Sequence, residues 1–147
     1  MMTNNPFAVL AESVPSIFLQ SFVIIMVAFV IIGTLIDIIH KKNVKYFFNN
    51  AKKAKLSATK VLSNGERVAV IAKTIATDIA TTAELGAGKR RVAHVLGMYG
   101  TILFWLASAV MIFCYSSLSS PTPSAWPIIW HTGAIMTILG GSWFWFF

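Results

Sequence analysis

Three long apolar runs, at residues 14–39, 92–115 and 127–147, constrain most strongly what this chain can fold into. Roughly 20 helical residues cross a hydrocarbon core about 30 Å thick, and each run reaches that length. All 12 Lys and Arg residues lie outside these runs, between Lys41 and Arg91. The pattern predicts an all-α integral membrane protein with about three transmembrane helices.

The positive charges predict the orientation of these helices. Cytoplasmic loops carry the excess of Lys and Arg, so the basic segment 40–91 is expected inside the cell. Residues 1–13 then form a short outer tail and residues 116–126 an outer loop, in a multi-pass protein of the inner (cytoplasmic) membrane. The tail lacks the basic residues of a secretory signal, so we expect the first helix to be retained.

The content and distribution of charged residues exclude some classes of function. Charged residues make up 12% of the chain, about half of what a soluble domain carries. The net charge is +7, and every basic residue lies in one loop between spans, which argues against nucleic acid as a partner. The loop is instead expected to set the topology and attract anionic lipid. Alternatively it is a docking surface for an acidic soluble partner, through Lys52, Lys53 and Lys55.

The basic segment is expected to contain two helices. Ser63 and Glu66 have the spacing of a capping box, and the apolar residues that follow recur with helical periodicity. This predicts an amphipathic helix over 66–85, ending near Gly86. A second, basic helix is expected over 44–62, lying in the interface with its aromatic residues toward lipid and its lysines toward phosphate.

The lone cysteine, Cys114, excludes a disulfide framework or an iron–sulfur ligand set within this chain. We expect it to be a small buried apolar residue. Any iron–sulfur or flavin chemistry would then belong to other subunits. The chain also has no glycine-rich phosphate loop and no nucleophile–base set, so it is expected to be a non-catalytic subunit.

The histidines are the main candidates for chemistry. His40, His94 and His131 all lie at or within the apolar runs, where an ionisable side chain suggests a function, and paired imidazoles ligate b-type haem in helical bundles. Counted along their helices, His94 and His131 lie about 20 Å apart in depth, too far to share one iron. His40 is the visible partner at the depth of His94. Each histidine could equally be a plain interfacial residue.

Small residues and one acid have competing explanations. Gly97, one turn after His94, would leave room for a flat macrocycle, although close helix packing would also favour glycine there. A stripe of small residues in the third run predicts close packing against another helix. It consists of Gly133, Thr137 and Gly141. Asp37 precedes Lys41 by four residues, which predicts a local ion pair.

Two stretches resemble a known family. Residues 90–100 (RRVAHVLGMYG) and 33–48 (GTLIDIIHKKNVKYFF) together resemble the membrane anchor associated with dissimilatory adenylylsulfate reductase. More broadly, they resemble cytochrome b-type subunits related to the nitrate reductase gamma chain. The resemblance implies electron transfer between a cytoplasmic iron–sulfur flavoprotein and membrane quinone through haem b, with His94 and His131 as ligand candidates and His40 a weaker one.

The length of the chain departs from that family. Cytochrome b subunits of this type usually have about five spans, and the sequence offers three. The third run also ends at Phe147 without a basic flank, so we expect the chain to be a piece of a longer bundle. Two other functions stay open: a cofactor-free tether for a soluble partner, and a small transporter or channel component that uses Asp37.

Overall fold

The computed structural model describes residues 2–59, 62–86, 88–119 and 121–146, without the side chains of residues 43 and 144. The described residues contain helices and no strand, which confirms the all-α prediction. The six α-helices are α1 (Pro6–Leu10), α2 (Ser16–Lys41), α3 (Asn43–Leu56), α4 (Asn64–Thr74), α5 (Lys89–Cys114) and α6 (Ala125–Phe144). The chain divides into two compact units, residues 1–20 with 70–147 and residues 21–69.

Two helices, α2 and α5, are long and apolar enough to cross a membrane. Each has 26 residues, which is about 39 Å of helix. Helix α6 has 20 residues and therefore sufficient length. It is not among the candidate spans in the described part of the chain. The third span therefore stays a prediction.

Helix α2 presents apolar side chains on all sides. None of its residues is buried, and Phe22 and Phe29 are 64% and 70% exposed. A helix that is hydrophobic all round is stable when lipid or other apolar surface covers it. Near its last turn, Asp37 Oδ1 lies 2.7 Å from Lys41 Nζ. This confirms the predicted ion pair, which is exposed and therefore of little energetic weight.

Helices α5 and α6 pack as an antiparallel hairpin through small residues. A Cβ added to Gly100 would lie 2.6 Å from the Thr137 nitrogen, and one added to Gly133 would lie 2.6 Å from the Phe104 nitrogen. Such backbone proximity increases dispersion contacts between apolar helices. Further along the hairpin, Met111 is fully buried. The hairpin is the main packed core of its unit.

Residues 2–13 contain more structure than the predicted tail, including helix α1. Asn5 is buried, and its Oδ1 accepts hydrogen bonds from the backbone N–H groups of Phe7 and Ala8, which caps α1. Its Nδ2 donates to the Tyr115 carbonyl at 2.8 Å and to Thr122 Oγ1 at 3.0 Å. One side chain thus ties α1 to the connection between α5 and α6.

The capping box is present, but the amphipathic helix predicted over 66–85 is not continuous. Glu66 N–H donates to Ser63 Oγ, and Ser63 N–H donates to a Glu66 carboxylate oxygen at 2.8 Å. Helix α4 then gives way to a π-helical turn (Ile75–Ile79), and Thr82 takes a left-handed conformation with φ of 50°. A short 3-10 helix, Ala83–Leu85, follows.

Threonines account for this interruption. Thr77 Oγ1 donates to the Lys73 carbonyl at 2.7 Å, and Thr81 Oγ1 donates to the Thr77 carbonyl. Such bonds to the carbonyl four residues back compete with backbone pairing and bend helices. Gly86, at φ 71°, ends the segment as its position predicts, and residue 87 lies outside the described residues.

Two further expectations need correction. The basic helix expected over 44–62 ends at Leu56, where Ser57 Oγ donates to the Lys53 carbonyl; residues 60 and 61 are outside the described part. Cys114 is exposed, not buried. It lies two residues beyond the buried Ile112, which is about 200° around the helix and therefore on another face.

Candidate functional site

His94 lies in the second turn of α5, at the edge of a groove between α5 and α6. The groove has a volume of about 490 Å³. Its lining residues are Ala93, His94, Gly97, Met98, Thr101, Ile102, Gly140 and Gly141. The imidazole is exposed, and a Cβ added to Gly97 or Gly141 would meet nothing within 4 Å. The groove is therefore open beside the ring.

The glycines at this groove have two different roles: Gly140 lies at the contact between the helices, and Gly97 and Gly141 border open space. A Cβ on Gly140 would lie 2.5 Å from the Gly97 nitrogen and 2.7 Å from the Ala93 carbonyl oxygen. Gly140 thus allows the helices to touch, whereas Gly97 and Gly141 leave space in the groove. The predicted packing stripe is correct at Gly133 and Thr137 and wrong at Gly141, because Gly140 makes the contact.

His131 lies in the second turn of α6 and is half-buried. Its Nδ1 lies 2.7 Å from the Pro127 carbonyl oxygen. A carbonyl only accepts, so Nδ1 carries the proton, and in the neutral ring the Nε2 lone pair is available. The ring also meets Trp130 edge-on, with centroids 4.9 Å apart. A hydrogen bond at Nδ1 is how proteins usually orient a ligating imidazole.

The hairpin keeps the two histidines apart. Gly140 meets Gly97 and Gly133 meets Phe104, so His131 lies level with about Leu106. The separation from His94 along the hairpin is therefore about 18 Å, at 1.5 Å per residue. One iron cannot bind both rings. His40, exposed in the last turn of α2, belongs to the other compact unit, and its pairing with His94 stays a prediction.

The groove beside His94 fits one side of a haem site. It offers an exposed imidazole and two positions where a missing side chain leaves open space. Met98 lines the same groove, but at four residues from His94 it lies on the same side of α5. Met98 and His94 would thus not hold a haem between them. A second ligand would therefore come from another helix.

The lysines proposed for docking lie on α3. Lys52, Lys53 and Lys55 are exposed near the end of this helix. At 100° per residue, Lys52 and Lys55 share a side with Phe48, while Tyr46 lies opposite them. The expected separation into aromatic and lysine faces is thus partial. The exposed lysines are compatible with either lipid phosphate or an acidic protein surface.

A second groove, which the sequence did not reveal, lies beside α5 and shares no lining residue with the groove beside His94. Arg91 Nε donates to the Thr81 carbonyl at 2.8 Å, and the Tyr99 hydroxyl donates to the Ala80 carbonyl at 2.7 Å. Arg91 was expected only to mark the cytoplasmic end of the span. The spacing of Arg91 and Tyr99, eight residues apart and hence near one helix face, was the available signal.

No family model, curated protein or solved structure matches this chain. The resemblance to the membrane anchor of adenylylsulfate reductase therefore rests on residues 33–48 and 90–100 alone.

Proposed function

We propose that this chain is a membrane anchor and electron-transfer subunit, which links a cytoplasmic iron–sulfur flavoprotein to membrane quinone. Adenylylsulfate reductase is the soluble partner that the resemblance suggests. The anchoring part is supported by α2 and α5, two helices long and apolar enough to span a bilayer. The docking part is supported by the exposed lysines of α3, whose charge complements an acidic partner.

The redox part depends on one observation, the exposed imidazole of His94 beside an open groove. In this proposal His94 would hold haem b through a ring nitrogen, and Gly97 and Gly141 would leave room for the macrocycle. His131, held through Nδ1, is oriented to serve a second site. When bound, haem b supplies reversible one-electron transfer.

The test is a reduced-minus-oxidised absorption spectrum of the protein purified with its native partners. We expect a b-type α-band that His94→Ala abolishes. Gly97→Leu should weaken or abolish the band as well, because the new side chain enters the groove while His94 stays intact. Gly33→Leu is the matched control, since a Cβ at Gly33 also meets nothing within 4 Å but lies on α2.

The outcomes separate the two main functions. A native complex without the band, or a band that persists in His94→Ala, would overturn haem ligation by His94. A soluble flavoprotein that still co-purified without any band would favour a cofactor-free tether. That alternative has its own support, because the groove offers a single imidazole among the described residues. Asp37 is paired with Lys41, which gives the transporter hypothesis no additional support.

A further inference from the structure

The second groove of α5 has the composition of a site for an amphiphile. It has a volume of about 920 Å³, near the upper end of the range for ligand pockets. It is lined by Ala80, Thr81, Gly88, Arg91, Val92, Val95, Leu96 and Tyr99. The lining is mainly aliphatic, includes one cation and contains no acid. An occupant with an apolar body and a negative head would match it.

Arg91 is held in place for binding an anion. Its Nε–H donates to the Thr81 carbonyl, and its two terminal nitrogens have no hydrogen-bond or ion-pair partner among the described residues. A guanidinium fixed through Nε presents its remaining N–H groups as a fork, the geometry that suits phosphate oxygens. Lys89 and Arg90 precede it in the chain and make the surrounding potential positive.

The wall of the groove opposite α5 is also held in a defined conformation. Tyr99 and Arg91 bind the carbonyls of Ala80 and Thr81, directly before Thr82. Thr82 is left-handed and buried, and its Oγ1 has no hydrogen-bond partner in the part of the chain that the structure describes. Such a conformation is strained and persists only where neighbouring contacts enforce it. The two side-chain hydrogen bonds provide that enforcement.

We propose that this groove binds one anionic phospholipid. The phosphate pairs with the terminal nitrogens of Arg91, and an acyl chain lies along Val92, Val95 and Leu96. Charge favours a phospholipid over quinone, because an uncharged quinone ring does not require a guanidinium. The site shares no lining residue with the groove beside His94, and the proposal does not depend on haem or electron transfer.

The test is native mass spectrometry of the intact protein in detergent, titrated with phosphatidylglycerol or phosphatidylcholine. We expect one phosphatidylglycerol to bind at least about tenfold more tightly than phosphatidylcholine. Arg91→Gln should remove that preference, a loss of about tenfold for a charge-assisted hydrogen bond. Arg90→Gln removes the same charge from a neighbour outside the groove and should change affinity less than about threefold. Leu96→Trp should weaken binding by filling the apolar part.

Several outcomes would overturn the proposal. Equal losses in Arg90→Gln and Arg91→Gln would indicate diffuse attraction to a basic surface. Equal affinity for both lipids would remove the role of charge. Displacement of the lipid by inorganic phosphate alone would indicate a free-anion site, and displacement by a short-chain quinone at matched concentration would indicate a quinone site. Circular dichroism would first establish that each variant retains the helix content of the parent.

Discussion

At the scale of single residues, Asn5 combines two structural roles. Its Oδ1 caps α1, and its Nδ2 binds the Tyr115 carbonyl and Thr122 Oγ1. The local part was readable from sequence, because Asn directly before Pro6 is a favoured helix start. The hydrogen bonds to Tyr115 and Thr122, more than 100 positions away, could not be predicted from sequence. No local pattern specifies which carbonyl a side-chain amide will reach.

Replacing this side chain should therefore destabilise the unit that contains it. Asn5→Ala removes a helix cap and leaves the Tyr115 carbonyl without its donor, at a cost of about 1–2 kcal/mol. A lower thermal midpoint in detergent is expected. Asn4→Ala is the control, because Asn4 is exposed and its change should leave the midpoint unaltered. Equal midpoints for Asn5→Ala and the parent would contradict this role.

At the scale of elements, the α5–α6 hairpin depends on glycines that sequence alone does not distinguish. Gly140 and Gly141 are neighbours, yet only Gly140 approaches the opposite backbone. Small residues predicted close helix packing correctly. Which of these two glycines faces α5 depends on the rotation of α6 about its own axis. Apolar residues lie on all sides of α6, so its sequence does not determine that rotation.

These neighbours provide a matched pair of substitutions. Gly140→Ala places a Cβ 2.5 Å from the Gly97 nitrogen, so backbone must move, at a cost of about 1–3 kcal/mol. Gly141→Ala meets nothing within 4 Å and should be neutral or slightly stabilising, because alanine favours helix. Thermal unfolding in detergent measures both. Similar midpoints for the two variants would show that the helices do not pack at this register.

At the scale of the whole molecule, the segregation of charge from apolar sequence underlies the anchoring proposal. The proposal assigns contact with a soluble partner to the exposed lysines of α3. If they dock that partner, reversing their charge should release it, and release of the parent should increase with ionic strength because salt screens exposed charges.

The corresponding experiment compares two sets of charge reversals. Lys52→Glu, Lys53→Glu and Lys55→Glu together should abolish co-purification of the partner from solubilised membranes at low salt. Arg67→Glu with Lys73→Glu alters α4 instead and should leave co-purification largely intact. Retention of the partner by the α3 variant, or equal release by both sets, would exclude docking through the α3 lysines.

Local sequence alone determined the helical class, two candidate spans, the Ser63–Glu66 capping box and the Asp37–Lys41 ion pair. Each follows from hydropathy or from side chains within one helical turn. Tertiary structure decided which glycines touch, which residues of α5 and α6 face each other, and that Arg91 borders a groove. These features depend on helix rotation and on contacts between distant residues, and the hydropathy of nearly uniform apolar helices specifies neither.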